Sequence, residues 1–303
     1  MGKKLSIERL PLRKKTSSAN NRLGPLDWVI FAILILFTLM IIYPFYNALL
    51  ISLSPRNVYY ETPFLFFPKE ITFDSYKEVF QYKLLWSGFS VTLILLFVGT
   101  FYQLFFTVIT GYALSRNNWF GKNFVMNMIL VTMFFGGGIV PYYFLIRSLG
   151  LIDSILVMII PGAIDTFNML LMRNYFASLP KELEESAKID GAHDITVFVK
   201  IYLPLSLPML ATIGLFFAVG NWNSWYNGML FISTAKYKPL QLVLREMVVE
   251  SSSSYERPDA SSMSFSEGIQ MAAVFLTILP MMSFYPFLQR FFVKGIVVGA
   301  IKG

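Results

Sequence analysis

Few side chains in this sequence are suited to chemistry, and many of those lie in one polar stretch, residues 183–208, between long apolar runs. The stretch reads LEESAKIDGAHDITVFVKIYLPLSLP and contains the only histidine of the chain, His193. A single histidine argues against a metal site built on several imidazoles and against acid–base catalysis by histidine. The carboxylates of the stretch, such as Glu185 and Asp190, are suited instead to ion pairs and to helix ends.

The spacing of residues in this stretch predicts a helix–turn–helix hairpin. Pro180 suits the first position of a helix. Three glutamates crowd the first turn, where the helix dipole favours negative charge: Glu182, Glu184 and Glu185. Asp190-Gly191 breaks that helix, and Asp194 can cap a second one over 195–203. An ordinary cytoplasmic loop with two surface helices would show the same pattern.

The composition of the chain is that of a membrane protein. Of 303 residues, 55% are apolar and only 14% are charged, which is too apolar for a soluble domain. The chain has no cysteine, so disulfides and thiol chemistry are excluded. The net charge of +7 is explained better by basic cytoplasmic loops than by a nucleic-acid partner.

Apolar runs of about 20 residues predict the membrane spans, because about 20 helical residues cross the hydrocarbon layer. We predict an all-α protein with a cytoplasmic basic tail at 1–27 and a transmembrane domain at 28–303. The six predicted spans are about 28–50, 87–113, 123–146, 152–172, 205–228 and 269–288. A short amphipathic helix is expected at 71–80, and a long outer loop at 229–268 contains a second one.

The distribution of Lys and Arg predicts which side of the membrane each segment faces. Segments on the side of both termini carry more of these residues than the opposite segments, and the tail at 1–27 supplies most of the excess. Cytoplasmic loops are enriched in Lys and Arg. We therefore expect both termini, and with them the hairpin, in the cytoplasm.

Two predicted spans contain residues that are unusual at membrane depth. Gly136–Gly138, with Gly137 at the centre, and Pro141 weaken the third span, either as a tolerated kink or as a hinge that lines a pathway. Asp165 and Asn168 lie in the fourth span. An ionisable residue there is a candidate for function, although Asp165 could equally be a structural hydrogen-bonding group with Arg173 as its partner.

Aromatic and amide side chains alternate at the end of the fifth span, in the sequence GNWNSWYNG at 220–228. The six residues are Asn221, Trp222, Asn223, Trp225, Tyr226 and Asn227. A belt of Trp and Tyr at the outer interface would explain the aromatic residues. Sugar recognition would explain both kinds, since flat rings contact sugar CH faces and amides bind hydroxyl groups.

The chain has no glycine loop followed by Lys-Ser or Lys-Thr that could hold ATP phosphates. If the protein does energised work, another chain must supply the ATP hydrolysis. No cofactor fingerprint or catalytic triad is visible, and the sequence predicts neither an enzyme nor a metal site.

Residues of the hairpin resemble the EAA loop of ABC-importer permeases, a pattern of Glu-Ala-Ala, Gly and Ile-x-Leu-Pro at fixed spacing. The matching positions are Glu185, Ser186, Ala187, Gly191, Ile201, Leu203 and Pro204, with Ser186 in place of the first alanine. Asp190, Gly191 and Ala192 resemble the version found in sugar permeases. The resemblance implies that these residues and Phe198, within the loop at 180–204, couple the chain to an ATPase.

The segment from about residue 28 to the C terminus is similar to the second permease subunit of carbohydrate ABC importers, in an LplC/YtcP-like group related to an alginate importer. That resemblance implies a type I importer fold in the bacterial cytoplasmic membrane, and import of oligosaccharides or polysaccharides. It also implies a second permease, two ATPase subunits that hold ATP and Mg²⁺, and an extracytoplasmic solute-binding protein.

Three alternatives remain at this point. A peptide or amino-acid permease would share the EAA loop. A stand-alone channel or secondary transporter would be expected to show internal repeats and more intramembrane charges. A membrane-embedded enzyme would need clustered carboxylates or histidines, which the sequence lacks.

Overall fold

The computed structural model describes residues 24–61, 66–116, 120–254 and 267–283, and within these residues the chain is helical with no strand. The predicted all-α class is confirmed. The helices discussed below are α1 (Pro25–Leu53), α2 (Arg56–Glu61), α3 (Asp74–Gln81), α4 (Lys83–Ser115), α5 (Lys122–Phe134), α6 (Ile139–Ser148), α7 (Thr166–Ser178), α8 (Glu182–Ile189), α9 (Asp194–Leu205), α10 (Leu207–Trp222), α11 (Tyr226–Phe231), α12 (Leu240–Ser254) and α13 (Glu267–Ser283).

The chain divides into two compact units, and the first ends at Ala48. Its described part is most of α1, an uncharged apolar helix after Asp27 whose side chains are almost all exposed. At 29 residues, α1 is long and apolar enough to cross a membrane. The predicted first span, 28–50, falls within α1, whereas the predicted tail at 1–27 lies mostly outside the described residues.

Helix α4 is the second continuous helix of spanning length, with 33 residues, and α7, α10 and α12 pack against it. Three of its glycines permit close approach: a Cβ on Gly88 would lie 3.1 Å from the Leu240 backbone, one on Gly99 3.2 Å from the Asn221 amide, and one on Gly111 3.2 Å from Met172. Small residues have this role in membrane helix interfaces because they let backbones approach closely.

Two further pairs of helices are apolar enough to span but are sharply bent. The chain bends by 119° between α5 and α6, and by 77° between α9 and α10. The first bend falls at Gly136–Gly138, where Gly138 adopts a positive φ of 81°. The predicted third span, 123–146, is therefore a broken span or a re-entrant loop rather than one helix.

The segment predicted as the fourth span, 152–172, is not a single helix. It begins with a short 3-10 turn at Ile155–Met158, and α7 starts only at Thr166 and continues to Ser178. Asp165 caps α7 by accepting a 2.8 Å hydrogen bond from the backbone N–H of Asn168. Pro161-Gly162 interrupts the helix, and the carboxylate of Asp165 then caps the new start at Thr166. Hydropathy alone places this start too early, at about residue 152.

The region predicted as a long outer loop, 229–268, contains a helix that contributes to the core. Leu240, Leu242 and Val243 of α12 are fully buried, and the backbone N–H of Leu240 donates a 2.9 Å hydrogen bond to Thr92 Oγ1 of α4. Residues 255–266 lie outside the described residues. The predicted sixth span, 269–288, overlaps α13, and its end and the C-terminal tail also lie outside them.

The close approach of α12 to α4 predicts the effect of a substitution. Gly88→Val should lower the stability of the purified protein by about 1–3 kcal/mol, because its side chain would collide with the Leu240 backbone. The measurement is the temperature at which the detergent-solubilised protein loses its monodisperse state. Gly220→Ala is the matched control, since a Cβ there would meet no atom within 4 Å. Equal stability of Gly88→Val and wild type would contradict this packing.

Candidate functional site

The predicted hairpin is present and is formed by α8, a short turn and α9. Gly191 adopts φ +82°, and its N–H donates to the carbonyl of Lys188 at 3.0 Å, while Ala192 N–H donates to Ala187 at 2.9 Å. These bonds pair two of the last carbonyl groups of α8, in a turn that depends on the positive φ of glycine. Asp194 does not cap α9 as predicted: it is the first residue of the helix, and its carboxylate lies 3.2 Å from Lys188 Nζ.

One carboxylate, Glu184, ties the hairpin to the end of α4. It forms a salt bridge with Arg116, lies 2.9 Å from Lys188 Nζ and accepts a 3.3 Å hydrogen bond from the Tyr202 hydroxyl. The Arg116 guanidinium also lies over two aromatic rings, 4.7 Å from the centroid of Tyr112 and 4.1 Å from that of Tyr202. Glu184 thus links α8, α9 and α4, and we call these groups the Glu184 clasp.

The surroundings of Glu184 hold it ionised. Burial by itself raises the pKa of this carboxyl, but the hydrogen bond from Lys188 and the charge of Arg116 outweigh it, so its pKa lies below the usual range. The same contacts with Glu184 and Asp194 raise the pKa of Lys188. The clasp therefore remains an ionic network at neutral pH.

Sequence reasoning named Glu184 only as a glutamate of the first turn of its helix and missed the salt bridge with Arg116. The four-residue spacing from Glu184 to Lys188 was a usable signal, because such a pair faces one side of a helix. The contact of Glu184 with Arg116 gave no such signal, because these two residues are distant in sequence and meet only in the folded chain.

About half of the predicted coupling residues face inward. Phe198 lies against Tyr112 with 4.6 Å between ring centroids. Four others pack around the same buried cluster: Ala187, Ala192, Ile201 and Leu203. These residues hold the hairpin on α4 and α7, and Pro204 is exposed within the last turn of α9.

The other predicted coupling residues are exposed: Glu185, Ser186, Asp190 and Gly191. Two isoleucines lie beside them with most of their surface uncovered, Ile189 at 86% and Ile195 at 77%. We call Glu185, Ile189, Asp190, Gly191 and Ile195 the hairpin tip. An apolar surface next to exposed carboxylates on a rigid support has the composition of a protein-docking surface.

In the aromatic–amide segment, the first residues are structural. Asn221 is buried and its Nδ2 donates to Thr100 Oγ1 at 3.1 Å and to Gln103 Oε1 at 2.9 Å. Trp222 is only 4% exposed and packs edge-on against Phe89. Asn223 Nδ2 donates to the Val219 carbonyl. Asn221 and Trp222 thus pack α10 against α4, and their role as sugar contacts stays a prediction.

The last residues of that segment lie beside cavities. Tyr226 is exposed and borders a cavity of about 490 Å³, together with Gly137 and the other glycines of the bend. Asn227 Nδ2 donates to the Tyr142 hydroxyl at 3.4 Å. Trp225 is half-buried and lies beneath the guanidinium of Arg245, 3.9 Å from the ring centroid. Gly137, Tyr226 and Trp225 thus remain candidates for a pathway.

Asp165 and Asn168 do not join this group. Asp165 is exposed and caps α7, whereas Asn168 is buried and its Oδ1 receives no hydrogen bond in the described chain. The predicted pairing of Asp165 with Arg173 is absent, because Arg173 donates instead to Asn174 Oδ1 and the Leu114 carbonyl. Within the described residues, no group of three or more His, Asp or Glu side chains could hold a metal ion.

Comparison with known proteins decides the family. No family model matches the chain. Protein LplC of Bacillus subtilis (strain 168) is 39% identical over 264 residues, which cover 86% of this chain and 90% of that protein. The polygalacturonan/rhamnogalacturonan transport system permease protein YtcP of the same organism is 35% identical over 91% of this chain and 98% of that protein. This chain belongs to the permease subunits of carbohydrate ABC importers.

Solved structures agree with this permease family. The crystal structure of a bacterial ABC transporter involved in the import of the acidic polysaccharide alginate contains a chain that matches with a TM-score of 0.80 and 30% identity, over 92% of this chain and 99% of that chain. A chain in the alginate transporter complexed with a pentasaccharide-bound periplasmic protein matches at 0.55 and 14%, which shows the fold alone. The resemblance to carbohydrate importer permeases is confirmed, and the peptide-permease alternative is not supported.

The clasp predicts the stability of the hairpin and its dependence on pH. Glu184→Gln removes the charge that pairs with Arg116 and Lys188, so the hairpin should loosen by about 1–3 kcal/mol. Because the pKa of Glu184 lies below its ordinary value of 4.5, wild type should keep this stabilisation above that pH and lose it as the pH falls through the lowered pKa. The variant should lack this acid-dependent step.

The measurement is amide hydrogen exchange across residues 182–205, expressed as protection at each pH. Glu182→Gln is the control, because Glu182 is an exposed glutamate in the same first turn. Identical protection in Glu184→Gln and wild type between neutral and acid pH would show that the clasp contributes nothing to the stability of the hairpin.

Proposed function

We propose that this permease docks on a separate ATPase through the hairpin tip and passes the motion of the ATPase to its spans. The supporting observation is the division of the hairpin into a packed inner side and an exposed outer side, with Ile189 and Ile195 uncovered beside Glu185. The packed side attaches the hairpin to α4 and α7. Among the described residues, no other part of the chain covers the outer side, so a partner protein can bind there.

The clasp provides the mechanical link. The salt bridge from Glu184 to Arg116 and the aromatic contacts of Phe198 join the hairpin to α4, so a displacement of the tip moves α4 and its neighbours as one body. A rigid-body movement of this kind switches alternating-access transporters between two arrangements. ATP and Mg²⁺ belong to the partner ATPase, which carries out the hydrolysis.

The proposed assembly contains a second permease, two ATPase subunits and an extracytoplasmic solute-binding protein. The alginate transporter that shares this fold forms a complex with a pentasaccharide-bound periplasmic protein, which supports the last of these partners. The excess of Lys and Arg in the proposed inner segments supports cytoplasmic termini in a bacterial cytoplasmic membrane. With that orientation the hairpin tip faces the compartment in which ATP is hydrolysed.

The proposed substrate is an acidic oligosaccharide. Two relatives support this class, since one is named for polygalacturonan and rhamnogalacturonan and another belongs to an importer of the acidic polysaccharide alginate. These polymers share uronic-acid units. The test is to purify the assembled importer with its solute-binding protein and to identify the bound ligand by mass spectrometry. A bound peptide or amino acid would overturn the substrate class.

Substitution at the tip should uncouple transport without preventing assembly in the membrane. Glu185→Lys reverses an exposed charge, and ATP-dependent sugar uptake should fall by about tenfold or more if the charge pairs with the ATPase. Uptake is measured in vesicles, and membrane insertion is followed by immunoblot. Glu182→Lys is the control, since it reverses an exposed charge one turn earlier. Normal uptake by Glu185→Lys would contradict its assignment to the coupling contact.

Gly191 offers a second test with a closely matched control. Gly191→Ala and Gly150→Ala both place an alanine at a positive φ, +82° and +67°, with no atom near the new Cβ, and each costs about 1–2 kcal/mol. Only Gly191 lies in the hairpin, so only Gly191→Ala should reduce the ATP-dependent uptake per inserted protein. Equal effects of the two substitutions would reveal a general loss of stability instead.

A further inference from the structure

Arg245 of α12 is an exposed cation held in place by an aromatic ring. Its guanidinium carbon lies 3.9 Å from the centroid of Trp225, and no carboxylate among the described side chains pairs with it. The acidic residue next to it, Glu246, is already occupied by Lys238, whose Nζ donates to both carboxylate oxygens at 2.7 and 2.8 Å.

The stacking of Arg245 leaves its hydrogen-bonding capacity unused. A cation–π contact uses the face of the guanidinium, whereas the five N–H groups point outward from its edge. The edge of a guanidinium matches a carboxylate in a bidentate manner. The ring thus fixes the plane of the cation while the donors remain available to a ligand.

Polar and apolar groups surround this cation in a surface cavity of about 500 Å³. Asn223 and Gln241 supply amides, Trp225 supplies an aromatic ring, and apolar residues of α12 and α13 complete the wall, among them Leu244 and Val274. The volume lies within the range of about 300–1,000 Å³ that is typical of small-molecule sites. Amides bind hydroxyl groups and aromatic rings contact sugar CH faces.

We propose that this Arg245 cavity is a subsite for one uronic-acid residue of the transported saccharide. Arg245 binds the carboxylate through its N–H edge, Asn223 and Gln241 bind hydroxyl groups, and Trp225 orients the guanidinium. The proposal rests on the proposed function, because it requires that the substrate be acidic. It makes Arg245 a specificity-determining residue beside Asn223 and Trp225, two residues of the segment in which the sequence predicts sugar contacts.

A phospholipid headgroup offers the same anionic oxygens, and Arg and Trp are both common at membrane interfaces. The two amides beside a single cation favour the sugar, since amides suit sugar hydroxyl groups, whereas sites for anionic headgroups typically cluster several Lys and Arg side chains. Vesicles of different lipid composition distinguish the two sources, because a sugar carboxylate is bound whatever the charge of the lipid.

The experiment uses the complete importer with its solute-binding protein in vesicles and measures ATP-dependent uptake of labelled tetragalacturonate. Arg245→Gln should raise the KM for tetragalacturonate about tenfold, and Arg245→Lys should raise it less, because lysine keeps the charge but loses the bidentate geometry. Arg147→Gln is the matched control, since it removes another exposed arginine away from the cavity. Each variant is measured in phosphatidylcholine vesicles with and without phosphatidylglycerol.

The outcomes separate this inference from the proposed function. No tetragalacturonate uptake by wild type overturns the acidic substrate and the subsite together. Uptake by wild type with an unchanged KM for Arg245→Gln overturns the subsite alone. An effect of Arg245→Gln that is present only with phosphatidylglycerol assigns Arg245 to a lipid headgroup and also overturns the subsite. A raised KM in both lipid mixtures, with Arg147→Gln like wild type, supports the proposal.

Discussion

Close packing against α4 is the constraint on which the rest of the second unit depends. Gly88, Gly99 and Gly111 are about three helical turns apart, and each admits a different partner: the backbone of α12, the Asn221 amide of α10 and Met172 of α7. A side chain at any of these positions would force a neighbour outward. In a bilayer, where lipid is as apolar as leucine, such close contact supplies attraction that hydrophobicity alone does not.

Polar side chains then form hydrogen bonds and an ion pair between α4 and the helices that its glycines allow to approach. Asn221 donates hydrogen bonds to Thr100 and Gln103 of α4, and the Thr92 hydroxyl accepts one from the first N–H of α12. At the other end of α4, Glu184 pairs with Arg116. The hairpin and the aromatic–amide segment therefore attach to one helix at different levels, and α4 is the helix that joins them in the proposed coupling.

The two proposed binding surfaces follow from the side chains that this packing leaves uncovered. The inner face of the hairpin packs into the aromatic cluster around Tyr112 and Phe176. Its tip therefore presents Glu185, Ile189 and Ile195 outward. Burial of Trp222 and Asn221 likewise leaves Trp225 as the ring beside Arg245. Both surfaces combine a charged group with apolar area on a firmly packed support, as binding sites require.

The sequence by itself determined the helical class, the permease family and the hairpin with its Gly191 turn, because hydrophobicity, glycine conformation and residue spacing act over short stretches of chain. It marked Gly136–Gly138 as a weak point but could not decide between a kink and a sharp bend, and it did not locate the start of α7 at Thr166, since apolar composition is the same on either side of both breaks. Only the tertiary structure decided that Glu184 pairs with Arg116, that Trp222 is buried, and that Arg245 lies on Trp225. These contacts join residues far apart in the chain, and they are made by helix packing that no local pattern records.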